Sequence, residues 1–329
     1  MRVPHGWIFL TLALSIGVAS VVAAAQSRGN IPQVGVLEPG PQQPPLGCLV
    51  AFRQGLRDLG YVEGQNITVA YSYAEGQRDR LSTLATELVQ RTPDVLWTHS
   101  TPAALAAKQA TITIPIVLGV ASDLVEQGLV ESLDRPGGNL TGVELRDVEL
   151  IGKRLELFKE ALPTISRVAI LVDPSERAHN HVPSNIEGEA RALGVQLQRV
   201  EAGAPEAFEA AFAAMMQGGA DALMIMDAAL FAAHQQRLLD LALRHRLPTM
   251  SGGRHFAEAG SLLAYGAYAP ELCQRSAVFV DKILKGAKPA TLPVERAYKF
   301  YLHVNLKTAA ALGLTLPPTF LARVDQVLK

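Results

Sequence analysis

The chain has 329 residues, of which 49% are hydrophobic and 19% are charged, and its formal net charge at pH 7 is -1. This length and apolar content suffice for two domains with separate cores and exclude a disordered chain. The near-zero charge, with no run of Lys and Arg, excludes a nucleic-acid-binding surface.

The first 25 residues have the pattern of an export signal. Arg2 gives a positive start, an apolar stretch follows, and residues 23–25 supply the small residues of an A-x-A cleavage site. The apolar stretch is also near the length that spans a membrane, so a transmembrane anchor is the alternative. The cleavage pattern and the polar residues after it favour a signal peptide over residues 1–25, removed near Ala25. Because Gln26 rather than a cysteine follows, a lipid anchor is not available there, and we expect an exported periplasmic protein.

Short β-branched segments alternate with longer amphipathic segments along the rest of the chain, which predicts strands and helices in turn. The predicted strands of the first half cover residues 33–37, 67–73, 94–99 and 114–120. Those of the second half cover residues 167–173, 195–202, 221–227 and 247–252. This alternation is typical of an α/β fold in which helices cover both faces of a parallel sheet.

The same order of elements occurs twice. Val34 in the first predicted strand is followed 26 residues later by Gly60 at the end of the first helix, and Val168 and Gly194 have the same spacing in the second half. Two similar α/β lobes are the simplest interpretation. Since strand and helix lengths vary little among such folds, a chance likeness of two α/β units is the alternative.

Small hydroxyl and carboxylate side chains follow the predicted strands. In an open parallel sheet, ligands bind beyond the carboxyl ends of the strands, so two facing lobes would place two sets of such residues across one cleft. The candidates are Glu38, Gln42, Ser100, Thr101, Ser122 and Asp123 in the first half, and Asp173, Asp227 and Ser251 in the second. They suit a polar or zwitterionic ligand, although each of these residue types also has a local role in ordinary turns.

The segment after the third predicted strand begins a helix. We predict that Thr101 caps this helix and that Pro102 occupies its first helical position, which leaves the next amides without partners. A helix N-terminus carries about half a unit of positive charge, so a carboxylate or phosphate beside His99, Ser100 and Thr101 would be favoured. An ordinary strand-to-helix turn has the same sequence pattern and is the alternative.

The sequence gives little support for metal, cofactor or enzyme chemistry. Cys48 and Cys273 are the only cysteines, and in an oxidising compartment they form either one disulfide or two buried thiols. The pair His179 and His181 has no third ligand close by, so we predict no metal site. Nucleotide-binding and serine-hydrolase motifs do not occur in the sequence, and we predict neither a cofactor nor catalysis. An α/β enzyme with Asp173 and His179 as an acid/base pair is a further alternative.

Several long segments carry a family resemblance. They are AFRQGLRDLGYVEGQNI, AEGQRDRLSTLATELV, STPAALAAKQATITIPIV, LGVASDLVEQGLVESLDRPGGNLTGVE, EAGSLLAYGAYAPELCQRSAVFVDKILKGAKPATLPVE and FYLHVNLKTAAALGLTLPPTFLARVDQVL. From Val34 to the C-terminus the chain resembles the ABC-transporter substrate-binding proteins of the group that includes tryptophan- and tyrosine-binding members. The resemblance implies a type I periplasmic-binding-protein fold, in which three hinge crossings join two Rossmann-like lobes with parallel sheets. It places lobe 1 at residues 31–143 and 266–292, and lobe 2 at residues 144–265 and 293–329.

The resemblance also implies a function and partners. The chain would be the periplasmic solute-binding component of an ABC importer, a monomer that traps a small metabolite such as an amino acid or related carboxylate. It would deliver this ligand to an inner-membrane permease that works with a cytoplasmic ATPase. The same fold serving as a ligand-sensing module for a membrane receptor or kinase is the alternative.

The positions of family ligand contacts match seven of the candidates. These are Ser100, Thr101, Ser122, Asp123, Asp173, Asp227 and Ser251. The aromatic residues that could wall the pocket are Trp97, Phe231, Phe256 and Tyr265. We select Tyr265, because it lies at an implied crossing, and expect Trp97 to pack in the core. Asp123 is followed by Leu124 where relatives commonly have proline, so this turn lacks a fixed φ.

Overall fold

The computed structural model of the chain describes residues 31–40, 42, 47–145, 148–176, 179 and 182–329. The predicted signal peptide, residues 1–25, lies outside the described residues, and so does His181. Within the described ranges, no helix is long and apolar enough to cross a membrane.

Strands and helices alternate along the described chain, as the sequence predicts. The first elements are β1 (Gln33–Glu38), α1 (Cys48–Asp58), β2 (Thr68–Tyr73), α2 (Leu81–Gln90), β3 (Val95–Thr98), α3 (Thr101–Ala110), β4 (Ile116–Ser122) and β5 (Leu140–Leu145). The chain continues with α4 (Ile151–Ala161), β6 (Arg167–Val172), α5 (Val182–Ala192), β7 (Gln196–Glu201), α6 (Phe208–Gln217), β8 (Ala222–Ile225), α7 (Ala229–Ala233), α8 (Gln235–Arg244), β9 (Thr249–Ser251), α9 (Arg254–Ala259) and β10 (Leu263–Gly266). The last elements are α10 (Ala269–Leu284), β11 (Glu295–Arg296), β12 (Tyr301–Asn305), α11 (Leu306–Leu312), α12 (Pro318–Leu321) and β13 (Gln326–Leu328).

The strands form two sheets. The first has the order β11-β5-β4-β3-β1-β2, and the second has the order β13-β12-β10-β9-β8-β6-β7. Both are mostly parallel, and the pair of β10 and β12 is antiparallel. Each sheet is covered on both faces, which explains why its strands are apolar at successive positions. In β6, Val168 and Ile170 pack in one core cluster while Ala169 and Leu171 pack in another. The structure confirms the predicted α/β fold with two lobes.

We call the first sheet with its helices lobe 1, and the second sheet with its helices lobe 2. The chain passes between the two sheets three times, between β5 and α4, between β10 and α10, and between β11 and β12. The division of the chain at 143/144, 265/266 and 292/293 stays a proposal. Two parts of the first sheet lie beyond those bounds, because β5 continues to Leu145 and β11, which begins at Glu295, pairs with β5.

Helices α1 and α10 pack closely against each other on one face of lobe 1. Gly55 permits this approach, because a Cβ atom there would lie 2.3 Å from the backbone oxygen of Gln274. A disulfide between Cys48 and Cys273 joins the same two helices. The structure therefore decides between the two cysteine states that the sequence left open.

Candidate functional site

The predicted ligand-binding residues lie at or just beyond the carboxyl ends of strands. In lobe 1 they are Glu38, Gln42, Ser100, Thr101, Ser122 and Asp123, and in lobe 2 they are Asp173, Asp227, Ser251 and Tyr265. The strand ends of the two lobes face each other, since the Arg78 guanidinium of lobe 1 donates a 2.7 Å hydrogen bond to the Ser175 hydroxyl of lobe 2. We call the space between these two sets of strand ends the cleft.

Glu38 ends β1 with a buried carboxyl group. Its Oε1 atom lies 3.0 Å from His99 Nε2 and accepts a 2.9 Å hydrogen bond from the Gly40 amide. Burial by itself raises the pKa of the Glu38 carboxyl, but the His99 charge and the two hydrogen bonds together bring that pKa below its ordinary value. The Oε2 atom is also buried and has no hydrogen-bond partner among the described residues. A donor group on a ligand would satisfy this oxygen.

The start of α3 differs from the predicted one. Helix α3 begins at Thr101, so Ser100 rather than Thr101 takes the cap position, and no side-chain cap hydrogen bond forms. Ser100 has φ 74° and ψ 148°, whereas an N-cap that bonds the helix amides normally has an extended backbone with negative φ. The predicted cap is therefore wrong. The Ser100 Oγ atom is buried and without a hydrogen-bond partner in the described part of the chain, and it lies next to the positive end of the α3 dipole.

The turn after β4 has a second strained residue. Asp123 has a left-handed backbone with φ 53°, directly after Ser122 at the end of the strand. Leu124 occupies the position after Asp123 where a proline was the family expectation. Its amide, which proline would lack, donates a 3.0 Å hydrogen bond to Glu144 Oε1. Left-handed non-glycine residues cluster at ligand sites, where the surrounding structure maintains the strain. Ser100 and Asp123 hold this conformation beside neighbouring strands.

Two other lobe 1 candidates, Thr101 and Gln42, differ in their burial. Thr101 is buried in the first turn of α3. Gln42 is exposed in the loop between β1 and α1, and residues 41 and 43–46 beside it lie outside the described residues. Within the described part of this loop, Gln42 forms no hydrogen bond or ion pair with the other candidates.

Asp173 of lobe 2 forms a local turn. Its buried Oδ1 atom accepts hydrogen bonds from the Ser175 amide at 2.9 Å and from the Ser175 hydroxyl at 2.5 Å. The Asp173 amide donates to His179 Nδ1 at 3.2 Å, so this contact joins the ring to the backbone and not to the carboxylate. The described contact is therefore not the carboxylate–imidazole hydrogen bond that an acid/base pair would use. Among the described residues, no three His, Cys, Asp or Glu side chains form a group that could hold a metal ion.

Asp227 faces a buried arginine. Arg154 is fully buried on α4, its Nε atom donates to the Tyr265 carbonyl at 2.8 Å, and its Nη2 atom lies 3.5 Å from Asp227 Oδ2. A Cβ atom on Gly252 would lie 2.0 Å from Asp227 Oδ2 and 2.4 Å from Arg154 Nη2, so a larger residue there would displace this pair. Asp227 retains 18% side-chain exposure. Arg154 therefore connects the residue after β8 with the end of β10.

The remaining predicted side chains contact residues of their own lobe. Ser251 is fully buried and its hydroxyl lies within hydrogen-bond distance of the Ser261 hydroxyl and the Leu263 carbonyl. Tyr265 is half-buried and its ring lies 6.1 Å from that of Phe300. Trp97 packs in the core as expected, with its ring centroid 4.2 Å from that of Phe52.

Phe231 and Phe256 both lie in the core cluster between the second sheet and its helices. They are buried there, so neither provides a pocket wall.

Sequence reasoning missed three residues that contact the opposite lobe. Arg78 follows β2, Gln127 lies in the loop after β4, and Glu176 lies four residues after β6. Gln127 Nε2 lies 3.3 Å from Glu176 Oε2, and Arg78 lies near both Ser175 and Glu176. Arg78 lies in the polar segment AEGQRDR that follows the second predicted strand, and this position after a strand is the sequence signal that identifies it.

Comparisons with known proteins identify relatives over most of the chain. The family model described as "ABC transporter substrate binding protein" matches residues 48–328. A tyrosine-binding protein of Clostridioides difficile (strain R20291) is 26% identical over 264 residues, which cover 80% of this chain and 75% of the relative.

Two solved structures have a similar fold. A conserved domain protein from Vibrio cholerae has a TM-score of 0.82 at 28% identity, covering 90% of this chain and 99% of that one. An ABC domain in complex with L-Trp from Streptococcus pneumonia has a TM-score of 0.83 at 24% identity, with the same two coverages.

Proposed function

The chain belongs to the family of ABC transporter substrate-binding proteins, and from this premise we propose that it is the exported solute-binding component of an ABC importer. It binds a small metabolite, an amino acid or a related carboxylate, in the cleft between its two lobes. A membrane permease with a cytoplasmic ATPase receives the ligand. The chain acts as a periplasmic monomer after removal of its signal peptide, and it catalyses no reaction on the ligand.

One observation carries this proposal. At the carboxyl ends of the lobe 1 strands, Glu38 Oε2 and Ser100 Oγ are buried and have no hydrogen-bond partner among the described residues. A buried polar atom without a partner costs about 1 to 3 kcal/mol, so such atoms point to a group that binds there. Both atoms lie at strand ends that face lobe 2.

The chemistry of these groups favours a zwitterion. The Glu38 carboxylate suits an ammonium group, because the pKa of Glu38 is below its ordinary value and the group stays ionised at neutral pH. The Ser100 hydroxyl and the adjacent N-terminus of α3 suit a carboxylate. A free amino acid carries both groups. The relative described as tyrosine-binding makes L-tyrosine the first probe to use.

A thermal-shift screen of residues 26–329 tests the proposal. The protein is unfolded, dialysed and refolded to remove any ligand that co-purifies, then heated with L-tyrosine, L-tryptophan, other amino acids, small carboxylates, sugars and purines. A ligand at about a hundred times its Kd adds about 2.7 kcal/mol, a shift of several degrees. We expect amino acids to give the shift, and a shift with no class of ligand would overturn the proposal.

A further inference from the structure

We propose that Arg78 is a positioning residue that fastens the two lobes together at the edge of the cleft, and so sets ligand affinity without touching the ligand. This inference rests on the proposed function, in which closure of the lobes traps a solute. Arg78 acts with Gln127 from lobe 1 and with Ser175 and Glu176 from lobe 2. We call these four residues the latch.

Arg78 makes the direct connection between the lobes. Its Nη1 atom donates to Ser175 Oγ at 2.7 Å and lies 3.7 Å from Asp173 Oδ2. Its Nη2 atom lies 3.7 Å from Glu176 Oε1. The Arg78 side chain is about half exposed, whereas the carboxyl groups of Asp173 and Glu176 are buried. One guanidinium therefore faces the hydroxyl and two carboxylates of a single lobe 2 loop.

Hydrogen bonds within the lobe 2 loop orient the Ser175 hydroxyl that accepts from Arg78. The Ser175 hydroxyl donates its proton to Asp173 Oδ1 at 2.5 Å, and the Ser175 amide donates to the same oxygen at 2.9 Å. The Ser175 oxygen is thus oriented within its own lobe as an acceptor. An acceptor held in place before the lobes meet loses less entropy on closure.

Gln127 makes a second connection from a different loop of lobe 1. Its Nε2 atom lies 3.3 Å from Glu176 Oε2, and both side chains are buried. The two oxygens of Glu176 therefore face two separate loops of lobe 1, with Arg78 on Oε1 and Gln127 on Oε2. Separation of the lobes would break both contacts at once.

These contacts affect affinity through the equilibrium between open and closed lobes. They join protein to protein, so they stabilise the closed form whether or not a ligand is bound. When only the closed form binds tightly, the apparent Kd is inversely proportional to the fraction of molecules in the closed form. It therefore rises as that fraction falls. The latch therefore changes affinity by the same factor for every ligand of the cleft.

Small-angle X-ray scattering of the ligand-free protein tests the latch without any ligand. We compare the refolded wild type with Arg78→Ala, Arg78→Lys and Arg80→Ala. Arg80 lies on the same helical turn as Arg78 and takes no part in the latch, so its replacement is a matched control for charge. We expect the radius of gyration of Arg78→Ala to exceed that of the wild type, and that of Arg78→Lys to lie between the two. The radius of Arg80→Ala should equal the wild-type value.

The outcome does not depend on the identity of the ligand. Equal radii of gyration for folded wild type and folded Arg78→Ala would overturn the latch, even if L-tyrosine binds to both. Absence of L-tyrosine binding to either would count against the proposed ligand class and leave the scattering result unaffected. If Arg78→Ala fails to fold by circular dichroism, Glu176→Ala and Ser175→Ala remove the lobe 2 partners of Arg78 and are expected to give the same expansion. Folded variants of both with the wild-type radius would equally overturn the proposal.

Where L-tyrosine binds, isothermal titration gives a second measurement. We expect Arg78→Ala to raise the Kd about tenfold and Arg80→Ala to leave it unchanged. The same factor is expected for L-tryptophan, because the latch acts on closure and not on the contacts of one ligand. If Arg78→Ala lowered the affinities for L-tyrosine and L-tryptophan by very different factors, Arg78 would touch the ligand. That result would overturn its role as a positioning residue.

Discussion

The carboxyl group of Glu38 and the imidazole of His99 lie 3.0 Å apart, although 61 residues separate them in the chain. The pairing of β1 with β3 brings them together, since Glu38 ends β1 and His99 follows β3 directly. Only one oxygen of Glu38 is used in this contact, and the other is buried without a hydrogen-bond partner in the described chain. The pair therefore leaves one carboxylate oxygen of Glu38 available for a further hydrogen bond.

Replacement of Glu38 is expected to weaken binding strongly. Glu38→Gln keeps the shape of the side chain but removes its charge, so an ammonium group loses its partner and the affinity falls by about 2 to 5 kcal/mol. The measurement is isothermal titration with L-tyrosine or with the ligand that the thermal screen identifies. Glu87→Gln, at an exposed position on α2, is the matched control and should bind as the wild type does. Equal affinity in Glu38→Gln would remove Glu38 from the site.

The charge of Asp123 is predicted to contribute to binding as well. Asp123→Ala is expected to lower affinity by about 2 to 5 kcal/mol if the carboxylate contacts a ligand ammonium. Alanine also disfavours the left-handed backbone at this position, where φ is 53°. Asp123→Asn separates the two effects, because asparagine tolerates that backbone but carries no charge. Titration that finds wild-type affinity in Asp123→Asn would show that the backbone and not the charge matters.

The strained backbone of Ser100 gives a prediction about stability. Serine at φ 74° and ψ 148° costs about 1 to 3 kcal/mol, whereas glycine adopts this conformation readily. Ser100→Gly is therefore expected to raise the free energy of unfolding by about 1 kcal/mol, measured by urea denaturation. Ser100→Ala keeps the strain and should not stabilise the protein in this way.

The same pair of variants tests the role of the Ser100 hydroxyl in binding. Both Ser100→Gly and Ser100→Ala remove the hydroxyl, so both should bind the ligand more weakly by about 1 kcal/mol. Undiminished affinity in both variants would contradict a ligand contact at Ser100 Oγ.

The fold was predictable from sequence because its signals are local. Apolar runs mark the parallel strands, polar residues follow them, and this order recurs in both lobes. The residues at the strand ends were predictable for the same reason. Glu38 ends β1, Ser100 lies two residues after β3, and each has a buried atom without a hydrogen-bond partner among the described residues.

The direction of each side chain was not predictable. Ser251 ends β9 as expected, but its hydroxyl is used inside lobe 2, since side chains of a strand alternate between faces and the register decides which one it faces. Asp227 meets Arg154 because α4 packs against the second sheet, and no local pattern encodes that contact. Arg78 gains its role only when the two lobes meet. Contacts between distant segments therefore decide how each predicted residue is used.

Removal of the disulfide is expected to destabilise the protein. The bond joins residues 225 positions apart and so restricts the unfolded chain. Cys48→Ala with Cys273→Ala should lower the free energy of unfolding by about 2 to 5 kcal/mol, measured by urea denaturation under oxidising conditions. A reducing agent should lower the stability of the wild type in a similar way and leave the double variant unchanged. A wild type insensitive to reduction would contradict a stabilising bond.

The buried carboxyl of Glu176 predicts a dependence of stability on pH. Burial raises its pKa to about 7, with Arg78 acting to lower the pKa and Asp173 acting to raise it. A carboxyl whose pKa is raised in the folded state binds a proton more tightly there than in the unfolded chain. Its contribution to stability is complete below the ordinary pKa of 4.5 and is lost as the pH rises through about 7.

The free energy of unfolding should therefore fall as the pH rises from about 5 to 7.5, with a slope of up to about 1.4 kcal/mol per pH unit from this group. Glu176→Gln removes the titrating group, so the difference in stability between wild type and variant should follow that slope. Glu187→Gln, an exposed glutamate on α5, is the control and should parallel the wild type at every pH. Urea denaturation at several pH values gives these curves. A wild type that gains stability relative to Glu176→Gln as the pH rises would show that Glu176 is stabilised as a carboxylate, because the charge of Arg78 would then outweigh the cost of burial.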